Sequence, residues 1–421
     1  MTDLLERERK ATSAGGNSSR LEVQPATSRT VSRLLRALSV CSYLAGYTII
    51  TLVVLAALIE LACWAFWSVH PLTRQAELEN QIGSPVYLGA EWAPQFWQEE
   101  TLRRNQRKPY VPFRLWGVTE WHSQYINNDR GLNGVWRRTN NPANCTQSTS
   151  LIIWTFGGST MYGTAVPDWA TIPAYLSQKL NVQGHGCVEV SNFGVEGYVT
   201  DQELILLAEL LKAGGHPDVV IYYDGVNDSS LAWPPSASPK AHFELSTIKN
   251  RVEGSISGRI DFLQKSYAMR VAGEVLARSK SDKVLASLIA KAQPNVLKTV
   301  DKYEANMRLV RALGEAYKFK VYCFWQPILI YGHKPLVPFE QEMAVRDAGG
   351  DSPESAWFLV MAAVYREAER RAAATGNFVF LGGLFDSTRE PLYVDEAHLG
   401  PRGNEIVAEA IARYIQDHRA E

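Results

Sequence analysis

LIIWTFGGST, residues Leu151–Thr160, is the stretch on which the reading of this chain turns. A short, almost continuous apolar run bounded by glycines reads as a strand buried on both faces, the kind found inside a parallel sheet. Gly157 and Gly158 permit backbone torsions that residues with a Cβ avoid, so the chain can turn sharply and present Ser159 at the sheet's edge. Helix-like sequence follows. Standing alone, a serine here would be an ordinary helix N-cap. Nor is this a GxSxG elbow, because position 161 is methionine.

Outward from this strand the same rhythm continues. CVEVSNF (187–193), DVVIYY (218–223), KVYCFW (320–325) and FVFLG (378–382) read as further buried strands. Between them Thr200 opens TDQE, a capping box with Glu203, and the helix closes on Gly214. Other helices are expected over about 302–317, from Ser352 and Pro353 onward, and over about 404–417, where Ile406, Val407, Ala410, Ile411, Tyr414 and Ile415 form one stripe. Strands alternating with helices imply a parallel sheet covered on both faces. Residues 229–300 interrupt the alternation, with helical sequence around 263–277 and 283–292. An insertion at the carboxyl end of a strand is placed to cap a cleft, and equally serves as a packing excursion.

The second and third strands end at NFG, Asn192–Gly194, and GVND, Gly225–Asp228. In a parallel sheet those ends share an edge with Ser159. The N–H groups of Gly194 and Ser159 and the side-chain amide of Asn227 can then converge on one oxygen, where fixed donors stabilise a developing oxyanion by a few kcal/mol each, roughly. Alone, each motif is turn chemistry. Asp395 and His398, in DEAH just before the last helix, are spaced for the carboxylate to hold one imidazole nitrogen while the other faces a serine. A lone DxxH is usually a surface turn. Together the segments supply nucleophile, oxyanion donors, base and orienting acid.

Composition narrows the class. The chain has 421 residues, 46% hydrophobic and 21% charged, with net charge −1, which gives no reason to expect a nucleic-acid partner. Five cysteines without a CxxC and eight histidines without an HExxH offer no metal set. No cofactor is expected. Residues 41–68 break the average: Glu60 is the only ionisable carboxylate or base in a run long enough to cross a membrane core of about 30 Å. Trp64 and Trp67 suit an interfacial belt. Arg29, Arg33 and Arg36 precede the run and only Arg74 follows closely, so the N-terminus is expected in the cytoplasm and everything after about residue 69 outside it. The preceding arm and the run are too long for a cleaved signal, so an uncleaved single-pass anchor in the cell (inner) membrane is expected. Residues 1–40 are expected to form a disordered cytoplasmic arm.

Residues 70–150 read as an irregular segment with short strands packed on the catalytic domain. Trp92, Trp97, Trp116, Trp121 and Trp136 either anchor it to the core or make a sugar-stacking platform. Cys145 and Cys187 each lie shortly before one of the first two strands and can be oxidised to a disulfide outside the cytoplasm, whereas Cys323 reads as a buried hydrophobe.

Taken in order, Ser159, Gly194, Asn227 and His398, with Asp395 three before the histidine, resemble the four blocks of the SGNH hydrolases, or GDSL-like esterases. HLGPRGNEIVAEAI is similar to the family's last block at several positions, and the resemblance covers about 151–421. It implies an α/β fold, three-layer α/β/α with a parallel flavodoxin-like sheet, and serine-dependent ester hydrolysis. Ser159 would be the nucleophile, with Asp395 and His398 completing a triad, and Ser159, Gly194 and Asn227 forming the oxyanion hole. One departure stands out: the first block reads GGS, with Gly158 where the family usually has aspartate. The expected substrate is an acylated small molecule, glycan or lipid outside the cytoplasm. The alternatives are an O-acyltransferase with a sugar hydroxyl as acceptor, and a non-catalytic envelope binding or assembly module.

Overall fold

The computed structural model describes residues 27–69, 81–142, 150–182, 187–233, 241–243, 245, 248, 266–269, 271, 282–348 and 353–418. Two compact units divide the chain, Met1–Ala65 and Phe66–Glu421. The first contains most of helix α1, Thr27–Val69. Its stretch Val31–Phe66 includes a window of mean hydropathy 2.5, none of it buried, and is long and apolar enough to cross a membrane. Residues 27–40 are thus helical, not part of a disordered arm. Val31, Leu34, Leu35 and Leu38 carry an apolar stripe into the arm, and extending an existing helix avoids the cost of nucleation. The rest of the arm lies outside the described residues.

Near the start of the second unit comes helix α2, Ala93–Arg104, which was not read from the sequence. Its buried face is Ala93, Phe96, Trp97, Glu100 and Arg103, so two charged residues stand where an apolar period would be sought. The short hairpin β1 (Tyr110–Val111) and β2 (Leu115–Trp116) follows, then β3 (Trp121–His122), β4 (Asn127–Gly131) and β5 (Gly134–Arg137). The central strands are β6 (Ser150–Gly157), β7 (Cys187–Asn192), β8 (Val219–Asp224), β9 (Lys320–Trp325) and β10 (Val379–Phe380). They lie parallel in the order β7-β6-β8-β9-β10, the doubly wound flavodoxin-like order 2-1-3-4-5. The sheet is not wholly parallel, however. β3, β4 and β5 extend it antiparallel beyond β7 through the Arg137–Asn192 pair. The N-terminal segment therefore supplies one edge of the sheet.

Side chains alternate across the strands, as a two-sided sheet requires. Phe156, Val220 and Tyr222 face a core built with α5 (Thr200–Lys212), α7 (Asp282–Tyr317) and α9 (Pro353–Thr375). Ile153, Ile221 and Tyr223 face the other, built with α4 (Ile172–Val182), α8 (Pro338–Ala348) and α10 (Pro401–Asp417). Two short turns complete the set, α3 (Ser159–Tyr162) and α6 (Val226–Ser230). Helix α7 joins the end of the expected insertion to the expected helix at 302–317, continuing through Pro294. Most of residues 229–281 lie outside the described residues, as does Ser352. The tryptophans form no common platform: Trp136 and Trp116 belong to one cluster, Trp97, Trp92 and Trp121 to another.

The capping box at Thr200 is replaced by something costlier. Thr200 is the first helical residue, and its hydroxyl donates to Asp228 at 2.7 Å. Glu203 is wholly buried, with no donor to either oxygen among the described residues. Burial, and then the neighbouring Asp224 carboxylate, hold its pKa well above the ordinary value. An acid whose folded pKa exceeds its unfolded one favours folding most below the unfolded pKa, about 4.3, and loses that advantage as pH rises towards the folded value. Glu203→Gln keeps the shape and donor of the protonated acid without its titration. Its melting temperature at pH 8 should exceed that of the unmodified chain by roughly 2–4 °C. A variant that melts lower at pH 8, or declines as steeply with pH, would show that the carboxyl is not held protonated.

Candidate active site

Ser159, Asn227 and the loop after β7 all lie at the carboxyl edge of the parallel strands, because β6, β7 and β8 end there at Gly157, Asn192 and Asp224. The segment before α10 brings the remaining groups to the same edge. His398 Nε2 lies 2.7 Å from Ser159 Oγ. Its Nδ1 lies 2.7 and 2.9 Å from the two oxygens of Asp395. The Asp395 carboxylate also accepts the backbone N–H groups of Ala397 at 3.0 Å and His398 at 2.7 Å. These bonds fix the carboxylate, the carboxylate fixes the ring, and the ring reaches the serine.

Electrostatics follow from that geometry. Burial on its own would lower the His398 pKa, but the Asp395 carboxylate outweighs it and raises the imidazole above its ordinary value. Burial would raise Asp395, yet the His398 ring and the two backbone N–H groups bring it down to about 2. The pair is therefore arranged to keep the carboxylate charged and to favour a proton on the ring. A ring so placed can take a hydroxyl proton and hold it.

The groups expected to serve as oxyanion donors are placed differently from the expectation. Gly194 donates its N–H to Asn192 Oδ1 at 2.9 Å, so it is not free for a developing oxyanion. Its glycine character has another cause: a Cβ there would lie 2.3 Å from Tyr162 N. Gly197, absent from the expected set, lines the cleft with Ser159 and Asn227, and its N–H makes no hydrogen bond among the described residues. NFGVEG contains both glycines, and Gly197, with φ +79, is the one the signal should have singled out. Ser159 heads the turn α3, where the first N–H groups lack helical acceptors. Asn227 Nδ2 donates one hydrogen to Tyr198 O at 2.7 Å, leaving the other for a ligand.

A cleft of about 670 Å³ opens over these groups, walled in part by Trp116 and Phe243. The loop bearing Gly197 is braced from the N-terminal segment. Arg103 Nη2 donates to Glu196 Oε1 at 2.8 Å while its Nε donates to Glu100 at 2.7 Å. Burial would raise the Glu196 pKa, but Arg103 carries it down to about 2. Sequence reading missed Arg103 and Glu196 and did not place Trp116 beside Ser159, since neither the 70–150 segment nor NFGVEG carries a local signal of that approach. Cys187 is disulfide-bonded and Cys323 is free and buried, while Cys145 lies outside the described residues. Among the described residues no cluster suits a metal ion.

The fold is a three-layer α/β/α with a flavodoxin-like strand order, and a serine, a histidine and an aspartate are bonded in series at the carboxyl edge of its strands. No family model matches the chain, and neither does any curated protein. Solved structures similar in fold include an acetyl xylan esterase from Geobacillus stearothermophilus, 15% identical with a TM-score of 0.30, covering 63% of this chain and 93% of that one. A member of the lipolytic G-D-S-L family from Veillonella parvula is 12% identical with a TM-score of 0.32, covering 63% and 98%. The acetyl xylan esterase AlAXEase is 14% identical with a TM-score of 0.33, covering 63% and 99%.

Proposed function

We propose that this chain is a serine esterase acting on acylated glycans or lipids outside the cytoplasm, held to the membrane by α1 with its N-terminus inside. One observation carries the catalytic part: His398 Nε2 stands 2.7 Å from Ser159 Oγ while Asp395 holds the opposite nitrogen. Ser159 Oγ attacks the ester carbonyl as His398 takes its proton. The alkoxide leaves with that proton, and an acyl-serine remains. Water, deprotonated by His398, then releases the acid and restores the serine. Asp395 orients the ring. The N–H groups of Ser159 and Gly197 and the amide of Asn227 hold the oxyanion, with Gly197 in the place first given to Gly194.

Burst kinetics on nitrophenyl acetate, with and without oligosaccharide, test water as the acceptor. Steady turnover barely altered by oligosaccharide is the expected result. Strong acceleration with acylated sugar as main product would make the enzyme a transferase. Asn227→Ala should lower kcat by roughly 10²–10³ with little change in KM, because the amide bonds best to the transition-state oxygen. A pure KM effect would make Asn227 a substrate-binding group.

We further propose that Cys187 pairs with Cys145. Closing that loop should stabilise the fold by about 3–4 kcal/mol in the chain-entropy model. Mass spectrometry of non-reduced peptides checks it, and a peptide joining Cys187 to any other partner ends the proposal.

A further inference from the structure

The hairpin β1–β2 and the basic segment before it take no part in the chemistry above. From Arg103 to Thr119 the sequence RRNQRKPYVPFRLWGVT holds no carboxylate, in a chain of net charge −1. Residues 104–110 are all exposed. Tyr110 is 75% exposed and Phe113 is 82% exposed. At the hairpin's turn Phe113 has φ 64, and Leu115 has φ 73, torsions that bulky residues rarely adopt. The turn is nevertheless clamped. Arg114 is buried, its Nε donating to Glu209 at 2.7 Å and its Nη1 to the Tyr198 hydroxyl at 2.9 Å. Its carbonyl accepts from Gln202 at 2.8 Å. One residue of the tip is thus locked to α5 while its neighbour's ring is kept in water.

The fold gains nothing from an exposed phenyl ring in a strained tip, so the arrangement points to a partner. Arg104 pairs with Glu100 at 2.8 Å, but the next two bases are less engaged. Arg107 is exposed with no ion pair among the described residues, and Lys108, 48% exposed, approaches Glu196 only to 3.7 Å. Aromatic rings beside bases, without carboxylates between them, suit the interface of an anionic bilayer: rings enter the headgroup layer and bases meet the lipid charge. A second copy of the chain fits poorly, because a two-fold contact would set these bases against their own kind.

We propose that residues 104–113 form a docking surface for an anionic lipid bilayer. Arg104, Gln106 and Lys108 line the mouth of the Ser159 cleft, and Pro112 and Phe113 line the depression beside it. Docking therefore turns the cleft mouth towards lipid.

The test uses the full chain reconstituted in vesicles, with Phe113→Cys carrying a bimane label in a Cys41→Ser, Cys63→Ser background. Shallow nitroxide lipids should quench the label in phosphatidylglycerol vesicles at least about threefold more than in phosphatidylcholine. Arg107→Glu, or salt at about 0.5 M, should reduce that difference. A label at Glu315→Cys, near the opposite edge of the sheet, should stay unquenched in both. Absent quenching at position 113, equal quenching in the two lipids, or equal quenching at position 315 would overturn the proposal. None of these readings requires ester hydrolysis, so the docking surface and the esterase stand or fall separately.

Discussion

Ser159→Ala should abolish ester hydrolysis, lowering kcat by roughly 10⁴–10⁶ while the chain stays folded. In the proposed mechanism this hydroxyl forms the acyl intermediate, and His398 Nε2, 2.7 Å away, is its only acceptor among the described residues. Removing one oxygen leaves the turn intact, because α3 is held by backbone bonds such as Tyr162 N–H to Gly158 O at 3.0 Å. A fluorophosphonate probe should label the unmodified chain at Ser159 and miss the variant. Activity above a few per cent, with contaminating esterase excluded and melting temperature unchanged, would remove Ser159 from the mechanism.

The parts of this molecule that could be read from sequence share a property: their signal is local. β6, β8 and β9 are short apolar runs, and the stripe on α10 buries Val407, Ile411 and Ile415 as its spacing predicts. Ser159, Asp395 and His398 were legible because ordered motifs hold them at strand and helix ends. The N-terminal segment was not, because its helix buries an ion pair, Glu100 with Arg103, on the face where an apolar period is sought. Its strands are only two to five residues long and join the sheet through one register pair, Arg137 with Asn192. Gly194 was mistaken for a donor for a related reason. Sequence places a glycine at a strand end, but only the bond from its N–H to Asn192 Oδ1 reveals that the donor is spent. Polar groups that satisfy one another at a distance leave no periodic trace.

Gly158 carries the most discriminating expectation, because the resemblance and the geometry disagree about it. The related block has aspartate at this position, which suggests that Gly158→Asp should be harmless. Here a Cβ on residue 158 would lie 2.2 Å from Asn227 Nδ2 and 3.4 Å from Tyr198 O. Backbone torsion is not the obstacle, since φ is −79. The obstacle is the Asn227 amide, pinned by its 2.7 Å bond to Tyr198 O. Something must shift, and the candidates are the amide or the backbone that carries Ser159. Either movement misplaces an oxyanion donor, so Gly158→Asp should cost at least the roughly 10²–10³ in kcat assigned to losing Asn227, with KM little changed. The double variant decides the cause. If the damage passes through Asn227, then adding Gly158→Asp to Asn227→Ala should cost far less than it does alone, because the side chain it collides with is already gone. Losses that simply multiply would place the damage in the serine turn instead, and full activity in Gly158→Asp would show that Asn227 can leave its present position without cost to the reaction.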